Sequence, residues 1–496
     1  MSGRTRGGDR RRTVGLAAAA LLTGSLAAIS PAFAQHDEPP AHGSHGGMAV
    51  EPPPPPVGAL REHAHPVDEE GPPADGPMPE LAGEPLALVE LERRTLEHNP
   101  EILQALAAIR AAEGLRRQVG LYPNPRLGVA AEEIPLESRR DAGKVGGFLA
   151  QPIVTGGKLR LNRQIFEQEV ERAAAVAELV RLRETNRVRG LYAETVASQR
   201  MVELRARLAR LAREAVEITG QLYNTGAADR PDQLAIEIDA ELAELALARA
   251  RWRLEQLWRQ LWAAVGDPSL GPRRLEDRLE EAIPALGREE TLQAILAGSP
   301  EVRFARAGVT RAELALRRER VEPIPDLELT AGVLDNREPV FTGGPAVGRE
   351  LFGEVGVRIP LFNRNQGNVA TAEAEVTRAE EEVRRTRLEL EARFAPVFAD
   401  YLDQHATVRR YRDGLLGRAE EAYRLHRTRY GQMAAAYPQV LIAQRTLFEA
   451  EAAYVEALAR LWKSVVLLQG MLLEDEPTPQ MLEDSVLRRT PIEIAQ

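Results

Sequence analysis

Histidine is the residue type whose spacing in this chain is most typical of metal chemistry. Five of the eight histidines fall in one N-terminal segment: His36, His42, His45, His63 and His65. Imidazoles a few residues apart in a flexible segment can bind Zn²⁺, Ni²⁺ or Cu²⁺. Residues 35–85 are rich in proline, glycine and acidic residues, which predicts a disordered tail. These histidines are therefore candidate metal ligands, and an ordinary polar linker is the alternative.

The rest of the composition argues against catalysis and nucleic-acid binding. The chain has no cysteine, which excludes disulfides, thiolate chemistry and a lipid on an N-terminal cysteine. The net charge of −10 argues against nucleic acid as a partner. The other histidines, His98, His405 and His426, fall on predicted helices without a nucleophile motif, and no glycine-rich phosphate loop is present. We therefore predict neither an enzyme nor a bound cofactor.

The N-terminus is typical of a secretory signal. Three arginines precede an apolar stretch at residues 14–29, and Ala32, Phe33 and Ala34 have the small-x-small form that signal peptidase cleaves. Residues 1–34 are therefore predicted to be a signal peptide, and a membrane anchor is the alternative. No other apolar run approaches the length of a transmembrane helix, so insertion into a membrane would have to use strands.

A long helical hairpin over residues 157–265 must position everything else. No proline occurs between Ile153 and Arg230. Glycine and proline break the helical pattern over residues 223–231, and a second helix leads away from that turn. The two predicted apolar stripes are Leu204, Leu208, Leu211, Ala215, Ile218 and Leu222, followed by Leu234, Ile238, Leu242, Leu245 and Trp252.

The chain also repeats itself. The landmark pairs are Asn99 and Ser299, each before Pro-Glu, and Pro123 and Pro323, both at a spacing of 200; residues 190–194 and 396–400 at 206; and Tyr223 and Tyr430 at 207. This register predicts two structural repeats, at residues 86–285 and 286–475, with a C-terminal tail at 476–496. The second repeat would contain its own long hairpin, at residues 367–473.

Each repeat contains two strand candidates with alternating polar and apolar residues. They lie at about 126–134 and 145–153, and at about 326–334 and 352–361. The alternation fits a transmembrane barrel strand, and a soluble half-buried sheet alternates in the same way. Four strands are too few to close a barrel, and open edges cannot lie in hydrocarbon. Three chains would supply twelve strands.

These features together resemble the TolC-like outer-membrane efflux proteins over about residues 86–475. The most specific segment is residues 356–367, Gly-Val-Arg-Ile-Pro-Leu-Phe-Asn-Arg-Asn-Gln-Gly, where a strand passes into a long helix. The resemblance implies a mainly α fold: long coiled-coil hairpins plus four transmembrane β-strands per chain, assembled as a trimeric twelve-stranded barrel with a periplasmic α-helical tunnel. The motifs look most like the heavy-metal (CzcC-like) branch.

The resemblance also implies partners and sites. The partners would be two further copies in a homotrimer, outer-membrane lipid, a periplasmic adaptor (membrane fusion) protein and an inner-membrane pump, of the resistance-nodulation-division type. Gly226 and Gly431 would mark the adaptor-docking tips, where a helix C-cap is the structural alternative. Gly190 and Pro396 would mark bends in the long helices.

The tunnel mouth departs from the pattern of well-studied relatives. They carry an acidic pair just after the second tip, whereas Gln439 and Ile442 occupy those places here. Asp229 and Asp232, with Glu237 nearby, are the candidates for an acidic ring at the first tip, although exposed acids on a coiled coil are usually only solvated.

Taken together, the resemblance implies a passive exit duct in the outer membrane of a Gram-negative bacterium, extending into the periplasm and serving heavy-metal cations. A duct for drugs or other small organic compounds is the alternative within that class. A periplasmic coiled-coil scaffold without a pore is the alternative from a different class.

Overall fold

The structure is a computed structural model that describes residues 84–134, 143–226, 228–267, 270–281, 283–341, 343–432 and 437–472. The predicted signal peptide, the five histidines of the N-terminal segment and the predicted C-terminal tail lie outside these residues. The described part of the chain is mainly helical, with a small antiparallel sheet.

The first repeat consists of two short helices, two strands and a very long hairpin. Its elements are α1 (Leu88–His98), α2 (Pro100–Gln118), β1 (Arg126–Glu132), β2 (Lys144–Ile153), α3 (Lys158–Asn224) and α4 (Arg230–Val265). Helix α3 has 67 residues. At about 1.5 Å per residue it is roughly 100 Å long.

The second repeat has the same order of elements. They are α5 (Arg288–Gly298), α6 (Pro300–Val321), β3 (Leu327–Pro339), β4 (Ala346–Val357), α7 (Gln366–Arg410), a π-helical turn (Tyr411–Leu415), α8 (Leu416–Gly431) and α9 (Tyr437–Gln469). The π turn separates α7 from α8, whereas the corresponding helix of the first repeat, α3, is continuous.

The described strands form one antiparallel sheet in the order β1-β2-β3-β4. Strand β3 continues to Pro339 and β4 begins at Ala346, so this hairpin is longer than the alternation of residues 326–334 and 352–361 predicts. The register explains the difference: Leu327 pairs with Val357, and pairing extends to Pro339 and Ala346 across an irregularity after Asn336. The extension contains charged residues that interrupt the alternation of polar and apolar side chains, so the hydrophobic pattern did not predict it.

The landmarks of the repeat mark the same local structure in both halves. Asn99 caps α2 by accepting hydrogen bonds from the Glu101 and Ile102 amides at 2.9 and 3.3 Å. Ser299 caps α6 by accepting one from the Glu301 amide at 3.2 Å. A proline occupies the first turn of each helix, where no amide donor is needed. The Pro-Glu motifs are therefore helix starts.

The hydrophobic core lies between helices of both repeats. Leu204 on α3 packs with Phe448 and Ala452 on α9, with Leu208 and Leu211 at the edge of this cluster. The seam predicted along α3 is thus shared with the other repeat as well as with α4. Helix α4 contacts α3 through a different face, which includes Ala243, Leu247 and Leu254.

The apolar stripe predicted along α4 is not buried within the chain. Its members Leu234, Ile238, Leu242, Leu245 and Trp252 are between 42% and 57% exposed. The sequence predicts this stripe but not its partner, because hydrophobic periodicity identifies a face that needs a partner without saying where that partner is.

Among the described helices, none combines the length and the apolar character required to cross a bilayer.

Candidate functional site

One face of the sheet is apolar and exposed. Leu127, Val129, Leu351 and Val355 are 81%, 79%, 83% and 68% exposed, although all four are large aliphatic side chains. The register places exposed side chains of neighbouring strands side by side, because Leu127 pairs with Leu149 and Leu351 pairs with Val333. A contiguous exposed apolar surface of this kind marks contact with lipid or with another protein.

The opposite face of the sheet is polar. Arg126, Glu132, Glu328 and Glu354 line a shallow groove there, together with Thr330. Two phenylalanines lie across the backbone of neighbouring strands: a Cβ on Gly128 would meet the Phe148 ring at 2.4 Å, and one on Gly332 would meet the Phe352 ring at 2.3 Å. Glycine is thus required beside each ring. The sheet is therefore polar on this face and apolar on the other.

Among the described residues, nothing pairs with either edge of the sheet. Strand β1 pairs with β2 alone, and β4 pairs with β3 alone. Each edge therefore presents a row of backbone amides and carbonyls that need partners, most of all in a medium without water.

The first hairpin tip is ordered by capping. Gly226 has a left-handed backbone with φ of 74°, and its amide donates to the Tyr223 carbonyl at 3.0 Å. Asp229 caps α4 by accepting a hydrogen bond from the Asp232 amide at 3.0 Å. Gly226 is therefore the helix-terminating glycine that the sequence predicts, and the carboxylate of Asp229 has a structural role in addition to its charge.

Charges at the first tip are partly neutralised locally. The Arg230 guanidinium lies 3.8 Å from the Glu237 carboxylate, which also accepts a hydrogen bond from the Gln233 amide at 2.9 Å. Asp232 is exposed in the first turn of α4. Of the acids near this tip, Asp229 and Asp232 are the two for which no ion pair is found among the described residues.

The second tip is built differently from the first. Gly431 is the last residue of α8 and its φ is not positive, so it does not end its helix in the left-handed conformation seen at Gly226. The two glycines are not structurally equivalent, and the C-cap interpretation is wrong for Gly431. The Tyr430 and Tyr437 rings lie 5.2 Å apart and join the two helices of this hairpin. Gln439 and Ile442 are exposed on the first turns of α9.

The predicted bend positions in the long helices differ from the irregularity that the structure contains. Pro396 lies within α7, but the departure from α-helical geometry occurs 15 residues later, at the π turn. Gly190 lies within the unbroken helix α3. The landmark spacing does contain a signal: it changes from 206 to 207 between Pro396 and Tyr430, and a π turn accommodates one extra residue in an α-helix.

The linker between the repeats is held by three aromatic side chains. The Tyr192 hydroxyl donates to the Glu276 carbonyl at 2.6 Å, the Trp462 indole N–H donates to the Leu279 carbonyl at 2.7 Å, and the Tyr401 hydroxyl donates to the Pro284 carbonyl at 2.7 Å. Burial, followed by the nearby carboxylates of Glu276 and Asp277, raises the pKa of Tyr192 to about 12. Sequence reasoning missed these three hydrogen bonds because their acceptors are backbone carbonyls.

No group of three or more His, Asp or Glu side chains in the described part of the chain is arranged to hold a metal ion. The five candidate histidines lie outside the described residues, so their metal-binding role stays a prediction.

Comparison with known proteins agrees with this architecture. The sequence profile of the outer membrane efflux protein family matches residues 91–267 and 291–472, one segment for each repeat. The chain belongs to the outer membrane efflux protein family. This confirms the resemblance inferred from the motifs. Family members are transport ducts, so the chain is not an enzyme.

Individual relatives cover most of the chain. It is 25% identical over 397 residues to the cobalt-zinc-cadmium resistance protein CzcC of Cupriavidus metallidurans, a match that covers 80% of this chain and 92% of CzcC. The fold is similar to that of the outer membrane protein VceC of Vibrio cholerae, with a TM-score of 0.61 at 19% identity over 78% of this chain and 96% of VceC. It is also similar to the MtrE outer membrane channel of Neisseria gonorrhoeae, with a TM-score of 0.60 at 18% identity over 78% of this chain and 88% of MtrE.

Proposed function

We propose that the chain is the outer-membrane exit duct of a tripartite efflux system, that it acts as a homotrimer with a twelve-stranded barrel, and that it serves heavy-metal cations. In this arrangement the sheet lies in the outer membrane of a Gram-negative bacterium. The long hairpins form a tunnel in the periplasm. A periplasmic adaptor docks at the hairpin tips, and an inner-membrane pump of the resistance-nodulation-division type supplies the energy.

The observation that carries the barrel proposal is the combination of an exposed apolar sheet face with two open edges. Leu127 on β1 and Leu351 on β4 are more than 80% exposed, and both lie on edge strands. A sheet whose apolar face meets lipid cannot leave its edge amides unpaired. Three four-stranded sheets joined edge to edge satisfy both requirements, and their polar faces would then line the lumen.

The helical part supports the same assembly. The exposed stripe on α4, from Leu234 to Trp252, needs an apolar partner. Exposed leucines also lie on α7, the π turn and α8, at Leu402, Leu415 and Leu425 respectively. Helices from neighbouring chains would bury both sets and close the tunnel wall.

The substrate class rests on two supports. CzcC is named for resistance to cobalt, zinc and cadmium, and it is similar to this chain over 92% of its own length. The polar sheet face carries Glu132, Glu328 and Glu354, carboxylates that favour the passage of cations.

Two measurements test the proposal at separate levels. Purified protein in detergent should have the mass of a trimer by light scattering, and it should give stepwise ion conductance in planar bilayers. A monomeric protein without conductance would instead support the periplasmic scaffold.

The substrate is tested in the host. Deleting the gene should lower tolerance to one or a few ions among Zn²⁺, Co²⁺, Cd²⁺, Ni²⁺, Cu²⁺ and Ag⁺, and should leave tolerance to dyes, detergents and antibiotics unchanged. Sensitivity to organic compounds with normal metal tolerance would reject metal export and leave the duct in place. If metals are affected, replacing the five N-terminal histidines by glutamine tests whether that segment contributes.

A further inference from the structure

The interface between the two repeats within one chain offers a template for the junction between neighbouring chains of the proposed trimer. Strand β2 of the first repeat pairs with β3 of the second. If the trimer proposed above forms, β4 of the second repeat meets β1 of the next chain, which is the same kind of junction. The residues that meet there can be derived from the registers within the chain.

The two β-hairpins of the sheet have the same register when residues 200 apart are equated in their first strands and residues 208 apart in their second strands. Leu127 pairs with Leu149 in the first hairpin, and Leu327 pairs with Val357 in the second. Leu127 and Leu327 are 200 residues apart, the spacing of the Pro-x-Pro landmarks before them. Leu149 and Val357 are 208 residues apart.

The spacing of 208 also holds where the strands pass into the long helices. Gly157 before α3 and Asn365 before α7 are 208 residues apart, and both have a left-handed backbone, with φ of 69° and 62°. The two repeats are therefore equivalent, at a spacing of 208, from Leu149 and Val357 to the starts of the long helices.

Within the chain, the junction between repeats is staggered by four residues. Strand β2 continues from Leu149 to Ile153, and Ile153 pairs with Leu327. The same step from Val357 leads to Leu361, whose equivalent in the first repeat is Ile153. The residue equivalent to Leu327 is Leu127.

We propose that Leu361 pairs with Leu127 of the partner subunit, and that Val357 pairs with Ala131 of the partner subunit. Strand β4 is then extended by four residues at the seam. Repeating a four-residue step at every junction gives the sheet the stagger that a closed barrel requires.

The exposure of these side chains agrees with the proposed pairing. Ile153 and Leu327, which meet inside the chain, are half-buried. Their equivalents Leu361 and Leu127 are 64% and 81% exposed. Beyond Val357 the single chain turns on itself, and the Leu361 amide donates to the Ile359 carbonyl at 3.0 Å. Pairing with a neighbour would exchange this local bond for a ladder bond.

The absence of cysteine from the chain allows a direct cross-linking test. The variants Leu127→Cys/Leu361→Cys and Ala131→Cys/Val357→Cys place both thiols at proposed pairs. Within one chain β1 and β4 are separated by two strands, about 14 Å apart at the usual strand spacing. A disulfide needs Cα atoms within about 7 Å, so any disulfide formed must join two chains.

Matched controls use the same four positions in the wrong combinations. Leu127→Cys/Val357→Cys and Ala131→Cys/Leu361→Cys keep the same substitutions but displace the thiols by four residues, about 13 Å along a strand. After oxidation with copper phenanthroline in isolated outer membranes, the first two variants should give covalent trimers on non-reducing gels. The two controls should stay at least tenfold less cross-linked.

The outcomes separate this inference from the proposed function. Cross-linking in the control combinations and not in the proposed ones would overturn the register while leaving the trimer in place. Absence of cross-links in all four variants, with trimers still seen by light scattering, would overturn the seam itself. Monomeric protein before oxidation would overturn the assembly on which both proposals rest.

Discussion

Gly157 and Asn365 hold the same left-handed backbone conformation, 208 residues apart, at the first turn of the two longest hairpins. The first repeat uses glycine, which adopts this conformation without steric cost. The second uses asparagine. The side-chain amide of Asn365 donates to the Glu319 carbonyl at 2.9 Å and to the Glu319 carboxylate at 2.6 Å. One backbone requirement has thus been met by two different residues.

Replacing Gly157 by alanine should destabilise the protein by about 1 kcal/mol, because alanine disfavours the left-handed conformation. The space around Gly157 is open, since a Cβ there would meet only the Arg160 guanidinium at 3.9 Å, so the cost is conformational. Gly190→Ala is the matched control: Gly190 is inside α3 with open space around it, and alanine should stabilise by about 0.5–1 kcal/mol. Urea denaturation of both variants measures the two shifts, and equal signs would contradict the argument.

Deleting Gly414 should convert the π turn Tyr411–Leu415 to regular α-helix and leave the protein folded. Between Pro396 and Tyr430 the second repeat is one residue longer than the first repeat between Gly190 and Tyr223. The π turn accommodates this extra residue, so deleting one residue there preserves the flanking helix faces. Deleting Glu380 in α7 is the control. It should rotate the helix by about 100° relative to the buried Leu390 and Phe394, and abolish folding. Expression level and thermal denaturation compare the two deletions.

The sequence was sufficient for the class of fold and for the repeat, because helix stripes, strand alternation and paired landmarks are local patterns. It did not reveal that the α4 stripe is exposed in the single chain. A stripe such as Leu234 to Trp252 records the need for a partner, and the same pattern serves a partner in the chain or in another one. Side-chain bonds to backbone carbonyls, such as that of Tyr192, have no sequence pattern at all.

Tyr192→Phe should lower the free energy of unfolding by about 1 kcal/mol at pH 8, because the hydrogen bond to the Glu276 carbonyl is lost. Folding raises the pKa of Tyr192 from 10.0 to about 12. The stabilisation is therefore complete below pH 10 and is lost as the pH rises toward 12. The difference between wild type and Tyr192→Phe should shrink over this interval in urea titrations. A constant difference up to pH 12 would argue against the buried phenol as its source.

Asp229→Asn should reduce cation selectivity in planar bilayers without destabilising α4, if Asp229 contributes to the charge of the tunnel mouth. Asparagine caps a helix as well as aspartate does, so the substitution removes the charge and retains the bond to the Asp232 amide. Asp229→Ala removes both and should cost about 1 kcal/mol of stability.

Asp232→Asn provides a second removal of charge at the same tip. Unchanged reversal potentials in all three variants would show that these acids are only solvated. In that case Gln439→Asp with Ile442→Asp would test whether an acidic pair at the second tip confers selectivity.

The open edges of the sheet also determine how the protein can be produced. In a solitary chain, nothing among the described residues pairs with the outer edges of strands β1 and β4, and these edges lie beside an exposed aliphatic surface. This combination promotes aggregation. Productive refolding and aggregation therefore start from the same surfaces and differ only in the register with which the edges meet. Yield in vitro should depend on chain concentration and on a detergent that shields the apolar face until the correct edges pair.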